Sequence, residues 1–306
     1  MNNNIMKLIK RKQIIPVWME IELVRFFDKK EYIRKKKIYD LTQKIIIFLE
    51  SELQKNNDQE KQQVLKFLKK RPCVIFPYDF IYKYYWKDIE VHSDLDCGMK
   101  YVCYNNKRLY FPQSMNVKQI QGYYNWLLVE QDINSPHCYQ TENFQVQQGD
   151  VVADLGAAEG LFPLMVIDKA KEIHLVECDQ RWIAALKKTF EPWKKKVKII
   201  NKYVSDASSE TDVIIDEYFN NNEVNFIKAD IEGAEVSMLK GATSVLRRAN
   251  VKLALCTYHK QNDAEELNEI LMRNGFATEF SKGYMVFPGD DIMPPYLRKG
   301  LIRAKK

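Results

Sequence analysis

At 306 residues, with 46% hydrophobic and 12% aromatic side chains, the chain can bury one large core or two smaller ones, and two domains are expected. Its net charge of +6 resides wholly in residues 1–40, where 11 Lys/Arg stand against 5 Asp/Glu, so the rest is balanced at 36 against 36. A catalytic part without basic excess disfavours a nucleic-acid substrate, and the six cysteines (Cys73, Cys97, Cys103, Cys138, Cys178, Cys256), lacking any C-x-x-C pair or metal-type spacing, read as reduced thiols of a cytoplasmic protein.

Near the start, the longest uncharged apolar stretch is QIIPVWM (13–19), which Pro16 interrupts, so it is too short for a signal core or a membrane span. Trp18, Phe26 and Phe27 beside Lys29, Lys30 and Lys35 to Lys37 offer peripheral membrane or acidic-partner contact; a helical arm packed on its own protein is the simpler reading. The spacing of Ile38, Leu41, Ile45, Phe48, Leu49 and Leu53, then of Val64, Leu65 and Leu68, predicts two amphipathic helices split by the polar run Lys55 to Glu60. After an aromatic-rich stretch (Tyr78 to Trp86), the alternating KYVCY and RLYFP around Asn105 and Asn106 predict a hairpin. Residues 1–115 are therefore expected to form a helical and mixed N-terminal region for acceptor binding or assembly, and Gln147 to Asp150 marks where an α/β pattern begins.

That pattern opens on VVADLGAAEG (151–160), an apolar run ending on Asp154 and entering a small-residue turn with Gly156, Ala157, Ala158 and Gly160. Such a turn lets backbone approach a bound nucleotide at a helix N-terminus. A dinucleotide fingerprint needs a second glycine where Ala158 stands, and Glu159 would repel a pyrophosphate. S-adenosyl-L-methionine (SAM), a cation through its sulfonium and amino group, suits Asp154 and Glu159 better. The second run, EIHLVECD (172–179), places Glu177 seventeen residues beyond Gly160, where α/β nucleotide folds put a ribose-binding acid.

Further strands are predicted at 196–206, 224–233 and 251–260, giving the strand and helix alternation of a parallel, doubly wound sheet. The helix after Asp179 presents Trp182, Leu186 and Phe190 to the core, Asn262 and Glu265 form a capping-box pattern for a helix closed by Gly275, and FATEF with YMVFP forms a terminal antiparallel pair. Strand ends carry the chemistry: Ser205 and Asp206 are placed near an adenine, and ADIEGAE brings Asp230, Glu232 and Glu235 together, with Asp230 beside the cofactor. These acids lack a supporting histidine pattern for a metal. Of the imidazoles, His174 falls inside a strand and His92 in a polar loop. His259, flanked by Tyr258 and Lys260, and His137, after Ser135 and Pro136, are base candidates, and Asp230 competes with them.

VVADLGAAEG, LVEC, VSD, IIDEYF and above all FIKADIEGAEVSMLKGA resemble the FkbM-type SAM-dependent methyltransferases, over roughly residues 120–290; EQDINSPHCY (130–139) and YHK (258–260) look like one subgroup of that family. The resemblance implies a class I methyltransferase (Rossmann-like) domain over 116–306, with a seven-stranded sheet and O-methylation of a hydroxyl on a natural product, sugar or glycan. It puts Asp154, Gly156 and Gly160 at the methionine end of SAM, with Ala157 and Glu159 of the same turn, Glu177 and Cys178 at the ribose, and Ser205 and Asp206 near the adenine. Asp230, Glu232, Tyr258 and His259 then line the acceptor side. Two further readings are an NAD-type oxidoreductase and a noncatalytic SAM-binding scaffold.

Overall fold

The computed structural model describes residues 28–289 and 292–306, so the expectation for Trp18, Phe26 and Phe27 lies outside the described residues. The chain divides into two compact units, Met1–Asp79 with Gly283–Leu297, and Phe80–Lys282 with Arg298–Lys306. By compactness the division thus falls at 79/80, and the sequence boundary at 115/116 lies inside the second unit. The reason is burial: Val102, Leu109 and Phe111 of the hairpin belong to the core of the α/β part, and Tyr110 N–H donates to Thr189 Oγ1 at 3.0 Å.

In the first unit, helices α1 (Lys29–Lys55) and α2 (Gln59–Leu68) form as the apolar spacing predicts, each capped by an aspartate, Asp28 and Asp58. Ile45, Leu49, Val64 and Phe67 are buried between them, while Lys29, Lys30, Lys36 and Lys37 remain exposed. Residues 283–297 return to this unit, with Val286 N–H donating to Ile75 O at 3.0 Å and Tyr284 N–H to the Tyr78 hydroxyl at 2.7 Å. YMVFP is therefore not half of a terminal strand pair.

Early in the second unit lies the hairpin of β1 (Lys100–Tyr104) and β2 (Lys107–Phe111), whose turn residues Asn105 and Asn106 have φ of 46° and 63°; the short strand His92–Ser93 pairs with β1, so His92 is not in a loop as expected. Two successive left-handed residues are what a two-residue hairpin turn requires. Among the described residues the large sheet then takes seven strands: β3 (Val151–Leu155), β4 (Glu172–Val176), β5 (Val197–Ile200), β6 (Phe226–Ala229), β7 (Lys252–Cys256), β8 (Ala277–Phe280) and β9 (Leu301–Lys305). They pair in the order β8-β9-β7-β6-β3-β4-β5, with β9 alone antiparallel to its neighbours. This is the class I, Rossmann-like methyltransferase arrangement, doubly wound and seven-stranded, that the resemblance implies. The partner of FATEF is β9, whose Leu301, Ile302 and Ala304 are buried despite the surrounding charges.

Two local expectations change. The strand expected over 196–206 ends at Ile200, because the Asn201 amide donates to Glu177 O at 2.8 Å and terminates the ladder; Tyr203–Val204 pairs instead with Asp212–Val213. Asn262 makes no side-chain cap on the helix that follows β7; Asp263 does local duty by accepting the Lys260 N–H at 2.6 Å.

Side chains alternate across each strand. Val152, Ile173, Leu175, Phe226, Ala254 and Cys256 face the layer containing helices α3 (Val117–Glu130), α4 (Leu161–Val166) and α5 (Gln180–Thr189). Ala153, Leu155, Ile227, Ala229, Leu253 and Leu255 face α6 (Glu235–Lys240) and α7 (Asp263–Arg273). The same parity sends Asp154 and Lys228 to the α3 side, where the β3/β6 register makes them direct partners. Phe226 is fully buried, its ring 5.4 Å from Phe144 and 5.8 Å from Phe162. Phe226→Ala should cost roughly 3–5 kcal/mol in urea unfolding; a loss below about 1 kcal/mol would contradict this packing.

Candidate active site

The turn after β3 is shaped by what lies against it. Gly156 has φ of +73°, and a Cβ there would fall 1.9 Å from Asp230 O, so the ends of β3 and β6 meet only because this residue has no side chain. Gly160 serves a different purpose: its Cβ would strike Leu186 and Phe190 at 2.8 Å, which makes it a contact point for helix packing. Around the strand ends lies a cleft of about 650 Å³, within the usual size of small-ligand sites.

Asp154, Gly156, Ala157, Glu159, Glu177, Cys178, Asp230, Glu232 and Tyr258 all line this cleft. Gly160, Ser205, Asp206, His137 and His259 do not. Asp206 is turned to the Ser237 hydroxyl, which donates to it at 2.8 Å, and the Ser205 N–H is tied to Val213 O. Because β5 ends early, Lys202, Tyr203 and Val204 take the place expected for them. Sequence reasoning missed Tyr123, Trp126 and Glu130 of α3, and assigned Trp182 to the core although it also lines the cleft. One signal was present: Asn116 and Gln119 form a reciprocal capping box that starts α3.

Glu177 is fixed by two backbone donors, Ala158 N–H to Oε2 at 2.8 Å and Asp179 N–H to Oε1 at 2.7 Å. Each carboxylate oxygen has two lone pairs, so each retains one for a ligand hydroxyl. Asp154 is fully buried, and Lys228 Nζ stands 2.8 Å from its Oδ1 while donating to Gly156 O at 2.6 Å. Neither Asp154 oxygen accepts a well-directed hydrogen bond among the described residues. Burial lifts Asp154 to about 6 against the pull of Lys228, whose own value rises because the Asp154 and Asp230 charges outweigh its burial. At neutral pH the pair is ionic. Glu159 accepts from the Tyr123 hydroxyl at 3.1 Å and from Leu161 N–H at 3.2 Å, yet burial raises it to about 7.

Asp230 is the hub of the other wall. Its Oδ1 takes the Tyr258 hydroxyl at 3.0 Å and faces His259 Nε2 at 3.3 Å; its Oδ2 takes the Tyr139 hydroxyl at 3.0 Å and faces His137 Nε2 at 3.6 Å. Burial opposes its charge, but the two imidazoles and Lys228 hold it well below the usual carboxylate range. His259 Nδ1 lies 3.1 Å from the buried Glu235, so two carboxylates overcome burial and raise His259 from 6.5 to about 10. His137 is likewise raised, burial notwithstanding, by Glu130 and Asp230. His259 therefore carries a proton at neutral pH and is not a ready base, and His137 is displaced in the same direction. These contacts draw His137, Asp230 and Cys256, and also Asp230, Glu235 and His259, to within 4.8 Å, a proximity of metal-type donors that sequence spacing does not reveal. His174, as expected, is structural, held between Tyr218 and Glu172 at 2.8 Å each and lowered to about 4 mainly by burial.

Residues 169–279 match the methyltransferase FkbM domain. The match runs from just before β4 into β8 and supports SAM-dependent methyl transfer. Among solved structures, a methyltransferase FkbM from Methylobacillus flagellatus KT is 17% identical, with a TM-score of 0.46 over 61% of this chain and 53% of that one, so the alignment spans about half its length. The fibrillarin pre-rRNA processing protein of Methanococcus jannaschii is 14% identical, with a TM-score of 0.41 over 71% of this chain and 97% of that one. Trm5b from Pyrococcus abyssi is 13% identical, with a TM-score of 0.39 over 71% and 62%. No curated protein matches the chain.

The histidine assignment has a pH signature. A folded value of about 10 against an ordinary 6.5 means that the stability His259 contributes is complete below about pH 6.5 and is lost as pH climbs toward 10. The stability difference between the wild type and H259Q should accordingly be largest near pH 6 and shrink toward pH 10. A difference that stays constant over this range would contradict the charged imidazole.

Proposed function

We propose that this chain transfers a methyl group from SAM to a hydroxyl of a small molecule, sugar or glycan. The observation that carries the reading is the pairing of Glu177, with one free lone pair on each oxygen, and Asp154, buried without a directed hydrogen bond, in one cleft at the carboxyl ends of β4 and β3. Those are the groups a ribose and an amino-acid ammonium require. The FkbM match supports the same reading, and the acid-rich lining suits a sulfonium. Glu177 and Cys178 would hold the ribose, and Asp154, Gly156 and Ala157 the methionine end.

When bound, SAM supplies a methyl carbon already activated by its sulfonium, so positioning does much of the work. Tyr258, Glu232, Tyr123 and Trp126, which also line the cleft, would meet the acceptor. Asp230, with a phenol and an imidazole on each oxygen, fixes Tyr139 and Tyr258 in the wall; His137 and His259 keep it ionised. An alcohol must lose its proton as it attacks, and Glu159, at about 7 and lining the cleft, is the group best matched to receive it near neutral pH.

Glu177→Ala removes charge-assisted acceptors worth about 1.5–3 kcal/mol, so binding of S-adenosylhomocysteine should weaken roughly ten- to hundredfold by calorimetry; unchanged affinity contradicts the ribose assignment. Turnover of labelled SAM with a panel of hydroxylated sugars and lipids tests the reaction itself. With an acceptor found, Glu159→Gln should lower kcat by about 10² or more while S-adenosylhomocysteine still binds. Full activity of that variant, or transfer to amines alone, would count against the proposal.

A further inference from the structure

Helix α1 buries one side, through Thr42, Ile45 and Leu49, and leaves the other to solvent. On the solvent side Lys29, Lys30, Lys36, Lys37 and Lys44 are exposed, with Asp40 between them. Steps of three and four residues put these side chains on one stripe, about 27 Å long when it is continued to Ile47. Ile33 and Ile47 lie on the same stripe and are 56% and 68% exposed. Met293, 71% exposed, shares with Ile33, Leu41, Lys36 and Lys44 a groove of about 610 Å³ within the first unit. A solvated helix face ordinarily interleaves acids and bases so that neighbours one turn apart can pair. Arg34, outside the stripe, is held in this way by Glu31 at 2.7 Å, whereas Lys29, Lys30, Lys36 and Lys44 form no ion pair among the described residues.

We propose that this stripe of α1 docks on an anionic phospholipid surface, with its lysines against the headgroups and Ile33 and Met293 in the interfacial layer. Charge complementarity selects the partner: the whole net charge of +6 resides in residues 1–40, and each lysine brought close to an anionic leaflet adds to the attraction. The aliphatic side chains select a bilayer among anionic partners, because they gain free energy at the boundary between headgroups and acyl chains. A nucleic acid would also attract the lysines, but it is held by stacking on aromatic rings or by donors that read its bases, and an aliphatic groove offers neither. The docking surface lies in the first unit alone and is independent of what the cleft of the second unit binds.

Vesicles of phosphatidylcholine alone, and of phosphatidylcholine mixed with phosphatidylserine, are pelleted with the intact chain. The unmodified protein should bind the mixed vesicles at least about tenfold more tightly than the neutral ones, and this preference should fade as salt screens the headgroup charge. Lys36→Gln combined with Lys44→Gln should weaken binding to the mixed vesicles roughly thirtyfold, the value of two lost lysine contacts. Ile33→Ser combined with Met293→Ser should weaken it severalfold. All four side chains are exposed, so the urea midpoint should hold in both double variants. Equal pelleting with neutral and mixed vesicles overturns the proposal, and that comparison needs no variant. Tighter binding to single-stranded RNA than to the mixed vesicles overturns it as well, and so does wild-type vesicle binding by the Ile33 and Met293 double variant.

Discussion

The second unit is organised around an ion pair between neighbouring parallel strands. Asp154 lies one residue before the end of β3 and Lys228 one before the end of β6, and register alone makes them partners. Two opposite charges taken out of water are stable only in each other's company, since leaving either one alone typically costs about 3–5 kcal/mol. Lys228 also binds Gly156 O, and Gly156 packs against Asp230 O, so the pair ties the first strand turn to the end of β6. The cleft exists because those two turns are held together without a side chain between them.

The same economy of position governs the opposite wall. Asp230, Glu235, His137 and His259 alternate in sign, and each imidazole stands against at least one carboxylate. A low-dielectric setting strengthens such contacts and makes an unpaired member costly. The array therefore behaves as a framework of mutually paired groups, with two phenols, Tyr139 and Tyr258, oriented by Asp230. Glu159, near 7, is the neighbouring group free to change charge.

Much of this was legible in the sequence because it is written in short-range patterns. The run VVADLGAAEG encodes a buried strand, a left-handed glycine and an acid in consecutive positions, and EIHLVECD repeats the strand and acid with the right spacing. Asn105 and Asn106 announce their hairpin for the same reason. What was hidden depends on tertiary pairing. β9 carries Arg303 and Lys305, and its burial arises only from lying between β7 and β8. The end of β5 is set by an Asn201 amide that finds Glu177 O across the sheet, which moved Asp206 out of the cleft. Lys228 stands inside the FIKADIEGAE run, and its partner stands 74 residues earlier in the chain. His259 was taken for a base because its residue type allows it; the buried Glu235 that keeps it charged becomes its neighbour only when β7 and α6 pack on one sheet.

The account stands on one claim, that the carboxyl ends of β3 and β4 and the turn after β6 receive a single SAM molecule. The most direct measurement is a crystal structure of the intact chain grown with S-adenosylhomocysteine. The account predicts ribose oxygens within hydrogen-bond reach of both Glu177 oxygens, and the amino-acid end beside Asp154. Density for the compound elsewhere, or a cleft that excludes it at saturating concentration, would contradict the claim.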